Sequence, residues 1–417
     1  MILTKEEEAM AKGKYGPGLE KCINLLIKFG EVFNAEKLVK VTSANVYSDF
    51  DFDFFTELTE GVNQTGAFTT IHPFMSLSDP LSWEKMGISK VNAEPLNREH
   101  EKRVEIYNHL SFFQTYTCVP MLVGNFVKKG DFVSWFGSCP QLIANSIIGA
   151  RQNRDGAVIN MAVAITARAP YYGLFLDENR YAEILFEIVG LDSESLTTTD
   201  YGAIGHYVGK IAKDRNIVIN GLNREITLEE MHYLLPPLST TGAVSLCHIV
   251  GVTPEAPDLT TALGNKPPKE TIHIGREEIT RAKEEFSSPE SEEIDLVMLG
   301  CPHCTIKELK EAAALLENKK VGTNHRLWIG TAHQIDNLAH TMGYSQIIER
   351  AGGVISSSCM SGVPDCPIPD DIKTIATNSF KAAYYISTFS RGRKKVVIGD
   401  LKDCINAAIN GKWEGGG

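Results

Sequence analysis

No stretch of the 417 residues reaches the ~18 uninterrupted apolar residues of a membrane-spanning helix. The Met1 start runs straight into Lys5-Glu6-Glu7-Glu8, with no basic segment followed by an apolar one. Neither a secretory leader nor a membrane partner is expected, and the chain reads as cytoplasmic. A basic tract is also missing: 41 Lys+Arg face 52 Asp+Glu, and the net charge of -11 is spread along the chain. That argues against a nucleic-acid partner. There is no internal repeat, no His-Glu-x-x-His and no second Cys-x-x-Cys, which leaves a zinc hydrolase poorly supported. What is present, 43% hydrophobic and 22% charged residues, is the composition of a soluble globular protein. At roughly 100–200 residues per domain, two to four packed units are expected.

Cysteine occurs, but not as a disulfide framework. The nine residues are odd in number and scattered over a chain without a leader. Most are expected to be reduced and buried, because a free thiol packs as a small hydrophobe. Cys22 and Cys404 fall at apolar positions of predicted helices and read as core.

Apolar periodicity gives an α/β order. A helix in the first 30 residues carries Leu19, Cys22, Leu25, Leu26 and Phe29 on one stripe and is expected to stop at Gly30. Strands are predicted at residues 38–42 and 66–73, and helices at 99–110 and 141–148. The stretch from Thr253 to Lys269, rich in Pro, Gly and charge, reads as an interdomain connection. Beyond it lie a buried strand at 294–300, a helix at 305–316 capped by Thr305, a strand at 326–330, a helix at 332–351 and a strand at 354–356. This alternation predicts parallel sheets covered by helices. The chain divides into an N-terminal α/β region, 1–290, holding more than one subdomain, and a C-terminal α/β/α domain, 291–413.

Two thiols, Cys301 and Cys359, follow directly on predicted strands of that last domain. Open parallel sheets bind ligands outside the carboxyl ends of their strands, so both would face one crevice. Cys301 also begins Cys301-Pro302-His303-Cys304, and a Cys-x-x-Cys can be a redox pair, half a zinc site or two ligands of an iron–sulfur cluster. Zinc wants a second pair, and a thioredoxin-like motif belongs near the chain start. A cluster held by few cysteines and a helix-starting loop with one buried thiol both stay open here. Cys118, in Thr117-Cys118-Val119-Pro120, is a third thiol in a loop followed by proline. Three thiolates on a cubane would leave one iron free to act as a Lewis acid on a substrate hydroxyl and carboxylate, the chemistry of a hydro-lyase.

Taken in order, the motifs resemble the catalytic large subunit of the aconitase X family. They are Thr117-Cys118-Val119-Pro120, the segment Ala144 to Gly156 with its Asn153-Arg154, Tyr172-Gly173-Leu174-Phe175, Gly251-Val252-Thr253-Pro254-Glu255-Ala256, Gly300-Cys301-Pro302-His303, Glu349-Arg350-Ala351-Gly352-Gly353 and Thr377-Asn378-Ser379-Phe380-Lys381. The resemblance implies an aconitase-like α/β fold, several α/β/α domains with mostly parallel sheets around a central cleft. It implies an iron–sulfur cluster on Cys118, Cys301 and Cys359, with 4Fe–4S favoured over 3Fe–4S or 2Fe–2S, and Cys304 as a spectator. The implied substrate pocket uses the loop around Ala44, Asn45 and Val46, the pair His72-Pro73, Asn153, Arg154 and Lys381. The substrate would be a small anionic 3-hydroxy acid, such as mevalonate 5-phosphate or a hydroxyproline-like compound. His303 is a candidate acid for the leaving hydroxyl, or a hydrogen-bonding group behind the cluster. The family's small swivelling domain, which carries the proton-abstracting serine, is not found here, so a separate small subunit is expected to supply it.

The chain also departs from the family pattern. Ala44-Asn45-Val46 stands for a Gly-Val-Ser loop, His72 for an Asn, Gln152 for a Thr, and Gly137-Ser138-Cys139 for a Glu-Ser-Ser motif. Such changes predict an altered ligand. They also motivate an alternative, a divergent non-catalytic ligand-binding or assembly subunit on the same scaffold.

Overall fold

A computed structural model describes residues 1–73, 82–222, 225–287, 292–323, 325–361 and 368–414. The ninth cysteine, Cys366, and the terminal Gly415-Gly416-Gly417 lie outside the described residues. Three wholly parallel sheets follow one another along the chain. Two short antiparallel pairs accompany them, Leu38–Lys40 with Arg168–Pro170 and Glu292–Glu293 with Lys412–Trp413. No helix among the described residues is long and apolar enough to cross a membrane.

In the first sheet the strand Ser43–Val46 lies between Phe68–Ile71 and Val133–Trp135. All four of its residues are buried, and the two-residue period of a strand sends them to opposite faces. Ala44 and Val46 join an apolar core with Cys22 and Leu26 of the helix Pro17–Val32. Ser43 and Asn45 meet hydrogen-bonded polar side chains, as buried polar groups must. The helix does not stop at Gly30 but runs to Val32, and a separate helix, Lys5–Ala11, precedes it. Gly30 is a packing residue: a Cβ there would stand 2.3 Å from Met1 and 2.9 Å from Pro170.

The second sheet has the order Cys247–Ile249, Ile217–Asn220, Ile184–Ile188, Glu270–Ile274. Its helices Thr198–Ala212 and Leu228–Gly242 pack so closely that a Cβ on Gly205 would lie 2.1 Å from the Leu234 carbonyl oxygen. Residues 253–269 connect two strands of this one sheet, so they are not the interdomain connection their composition suggests. Pro, Gly and charge mark surface turns and linkers alike.

The third sheet runs Val354–Ser356, Arg326–Thr331, Leu296–Cys304, Thr374–Thr377, Lys395–Ile398. The chain builds outward on one side of Leu296–Cys304 and then returns to its other side. The order therefore reverses between Leu296–Cys304 and Thr374–Thr377, where a doubly wound sheet opens its ligand crevice. Thr305 caps the helix Ile306–Leu316: its hydroxyl accepts the Glu308 N–H, and the Glu308 carboxylate accepts its own N–H at 2.8 Å. The helix expected over 332–351 is two, His333–Thr341 and Tyr344–Ala351, parted at Gly343 with φ +85°.

Candidate active site

The strand Leu296–Cys304 continues past the point where its apolar run ends, but its pairing with Arg326–Thr331 slips between Leu299 and Cys304. Gly300, at φ +89°, turns the backbone there, and a Cβ on it would lie 2.1 Å from the Gly330 carbonyl oxygen. This bulge leaves Cys301, joined to Pro302 by a cis peptide bond, outside the ladder. Half-buried Cys301 lines the crevice, whereas Cys304 packs in the core with Leu309 and Ala312. The two cysteines of the close pair thus have different surroundings.

Cys118 and Cys359 reach the same crevice from distant segments. Cys118 is buried, and its Sγ accepts the backbone N–H of His303 at 3.3 Å. Cys359 follows the strand Val354–Ser356 and is half-buried. The Ser361 hydroxyl donates to Cys301 Sγ at 2.8 Å. Facing these thiols is Lys381, buried in the first turn of the helix Phe380–Phe389. Among the described residues no carboxylate pairs with it. Burial alone would discharge this lysine, but Cys301 and Cys118 hold its pKa above the ordinary value. Burial in turn pushes the Cys118 thiol up to about 11, against the pull of Lys381 and of the His303 N–H.

Two adjoining recesses share His72, Pro73, Cys301, Cys359 and Lys381. The inner one, about 30 Å³, adds Cys118 and His303. The outer one, about 370 Å³, adds Tyr47, Gln141, Arg154, Asp155 and Tyr385. His303 Nδ1 lies 3.2 Å from Thr117 Oγ1, and burial lowers its pKa to about 3, so the ring is neutral.

Other sequence-derived residues sit differently. Ala44, Asn45 and Val46 are not a loop and line neither recess. They form the interior of a central strand, and only Asn45 touches the site, through His72 at 3.3 Å. Asn153 lines the outer recess, but its amide is occupied by Tyr172 O at 3.0 Å and Leu174 N–H at 2.7 Å. Arg154 lies exposed on that wall, donating to Ser239 O at 3.2 Å. The helix expected over 141–148 is the short helix Ser138–Leu142 followed by a π-helical turn, Ile143–Ile148. It brings Gln141 to the outer recess and buries Cys139, whose pKa is raised first by that burial and then by the nearby Cys118.

Several wall residues were not singled out from sequence. Asp155, which accepts the Tyr172 hydroxyl and is pushed up to about 6 by burial, sits beside Arg154 in a quoted motif, and Ser361 lies two residues after Cys359. Those positions were the only signal for them. Tyr47 and Tyr385 carried none.

The donor set suits a cysteine-bound group, since the sulfurs of Cys118 and Cys301 each accept a hydrogen bond and face one buried ammonium. Among the described residues no three His, Cys, Asp or Glu side chains converge on a single ion.

A parallel α/β molecule with three thiols and a buried lysine at the switch point of its last sheet is of the class that binds a ligand in that crevice. Its particular kind follows from comparison with known proteins. The chain belongs to the aconitase X family, whose first-domain model matches residues 1–178, second-domain model 182–284 and third-domain model 294–410. The phosphomevalonate dehydratase large subunit of Methanocaldococcus jannaschii is 33% identical, across 97% of this chain and 99% of that one. The cis-3-hydroxy-L-proline dehydratase of Pseudomonas aeruginosa is 27% identical, across 98% of this chain and 70% of that one. A crystal structure of Thermococcus kodakaraensis aconitase X in its holo-form superimposes with a TM-score of 0.84 at 30% identity, covering 98% of this chain and all of the other.

Proposed function

We propose that this chain is the large subunit of an iron–sulfur hydro-lyase that dehydrates a small anionic 3-hydroxy acid, with mevalonate 5-phosphate as the first candidate and a hydroxyproline-like compound as the second. The observation that carries the reading is the meeting of Cys118, Cys301 and Cys359, from three distant segments, around one recess beside the buried Lys381. The relatives named as phosphomevalonate dehydratase large subunits support the order of candidates and the need for a small subunit.

A cluster on the three thiols, 4Fe–4S by preference, would supply a Lewis acid for the substrate hydroxyl. The chain's own residues bind and orient. Lys381 offers a compact charge with three donors to a carboxylate or phosphate, and Arg154 is a second cation at the wider end. His303, neutral and buried, keeps its single ring N–H at neutral pH and is a poor acid for the leaving hydroxyl. Its backbone N–H on Cys118 and its ring on Thr117 make it a positioning residue. The base that removes the α-proton would be the serine of the small subunit.

The test is anaerobic reconstitution with iron and sulfide, together with the small subunit. The wild type is expected to turn brown and dehydrate mevalonate 5-phosphate, and Cys118→Ala, Cys301→Ala and Cys359→Ala each to stay pale. A colourless wild type would sink the cluster. A brown protein inert on both candidate acids would instead favour the non-catalytic alternative.

A further inference from the structure

His72, half-buried on the wall common to both recesses, is wired from behind. The series starts at Trp135, whose indole N–H can only donate and reaches Ser43 Oγ at 2.8 Å. Ser43 then gives its own proton to Asn125 Oδ1 at 2.5 Å. The Asn125 amide nitrogen donates to the Ala44 carbonyl, which can only accept, at 3.1 Å, and to Thr70 Oγ1 at 2.9 Å. Thr70, having accepted, donates to Asn45 Oδ1 at 2.8 Å. The Asn45 amide nitrogen faces the Thr117 carbonyl at 3.5 Å and lies 3.3 Å from His72 Nδ1. Thr70 also has the Ala44 carbonyl within reach at 3.3 Å, but Asn45 Oδ1 is its nearer acceptor and the Thr117 carbonyl, which can only accept, turns the Asn45 amide the same way, so Nδ1 receives an N–H and the single proton of the neutral ring sits on Nε2. Burial and the charge of Lys381 both favour that neutral form.

The edge of the ring that carries Nε2 rests against Gly137, also on the wall of the outer recess. A Cβ at that position would stand 2.5 Å from Cε1 and 3.0 Å from Nε2, so glycine gives the imidazole its place. Asn45, His72 and Gly137 are therefore one unit. They are also three of the positions that the sequence resemblance marks as departures from the aconitase X pattern.

We propose that His72 is a specificity-determining residue, presenting a fixed Nε2–H donor to an acceptor oxygen of the substrate, with the direction set by the series Trp135, Ser43, Asn125, Thr70 and Asn45. A donor that cannot reverse rejects groups that only donate. With Lys381 and Arg154 on the same walls, the site selects carboxylate or phosphate oxygens and disfavours a ligand that turns an ammonium toward His72. The substrate class rests on the hydro-lyase reading; the wiring does not.

The test uses the full chain with 15N-labelled histidine, in which long-range 15N–1H correlations report each ring's tautomer and His72→Gln identifies the His72 signals. Wild type and Thr70→Ser are expected to show Nε2–H, and Thr70→Val, in which the Asn45 amide is free to turn over, a mixture. A wild-type His72 protonated on Nδ1, or a Thr70→Val spectrum identical to wild type, overturns the proposal. In a second arm, calorimetric binding of mevalonate 5-phosphate is expected to weaken at least tenfold in His72→Phe. Equal binding by the variant overturns the specificity role of His72, and no binding by the wild type overturns the substrate class. Neither arm reads turnover, so a failure of the hydro-lyase reading is told apart from a failure of this one.

Discussion

A lysine in the first turn of a helix sits at the end of the macrodipole that repels cations, and burial adds to the cost. Lys381 occupies both positions at once, facing Cys118 and Cys301, and so unfavourable a placement is why it reads as part of the site. Lys381→Met keeps the stem and removes the charge. It is expected to weaken binding of mevalonate 5-phosphate by about 100-fold, close to 3 kcal/mol, the upper range for a hydrogen-bonded charge. A loss below threefold by calorimetry would remove Lys381 from the binding role. At this scale the sequence was legible in kind and misleading in detail. Cys118, Cys301 and Cys359 stand out through their places after strands and in loops. Ala44, Asn45 and Val46, by contrast, which the family resemblance puts in a pocket loop, belong to a buried strand, and four residues reading Ser-Ala-Asn-Val lack the apolar run that would mark one.

Among the elements, the bulge in Leu296–Cys304 matters most, because it turns Cys301 toward the crevice and leaves Cys304 in the core. It depends on Gly300, where the positive φ and the approach to the Gly330 carbonyl both exclude a side chain. Gly300→Ala is expected to cost about 2–4 kcal/mol, strain and overpacking together. A fall in the urea midpoint worth less than 1 kcal/mol would show that the strand tolerates the change. The sequence announces the strand through its apolar run and the following helix through the Thr305 cap. It does not announce the slip in register, since a bulge is defined only against the neighbouring strand. Helix ends were misjudged for a similar reason: a glycine can end a helix, as Gly343 parts two, or sit inside one to let a neighbour approach, as Gly30 does.

The whole molecule is tied together near the junction of the first two family-matched segments. There Arg180, buried in the interior, takes Glu255 at 2.6 and 3.0 Å and also donates to the carbonyls of Leu174, Asn145 and Ala150. The wall containing Asn153, Arg154 and Asp155 lies on the segment that this arginine fastens. Arg180→Ala would leave a carboxylate and three carbonyls short of a partner, and is expected to destabilise the chain by about 3–5 kcal/mol. Equilibrium unfolding in urea measures the loss, and an unchanged midpoint would show that the junction is held by packing alone.

By itself the sequence determined the parallel α/β architecture, the N-cap at Thr305 and the thiols worth attention, because periodicity, capping and the placement of residues after strands are local properties written in consecutive residues. It also carried the ordered motifs that place the chain in its family. Only the tertiary structure decided how a bulge parts Cys301 from Cys304, that residues 253–269 stay within one sheet, and that Asn45, His72 and Gly137 form one unit. Each of these is a relation between segments far apart in the chain. Such relations are fixed by which strands pair and in what register, and no window of neighbouring residues contains that information.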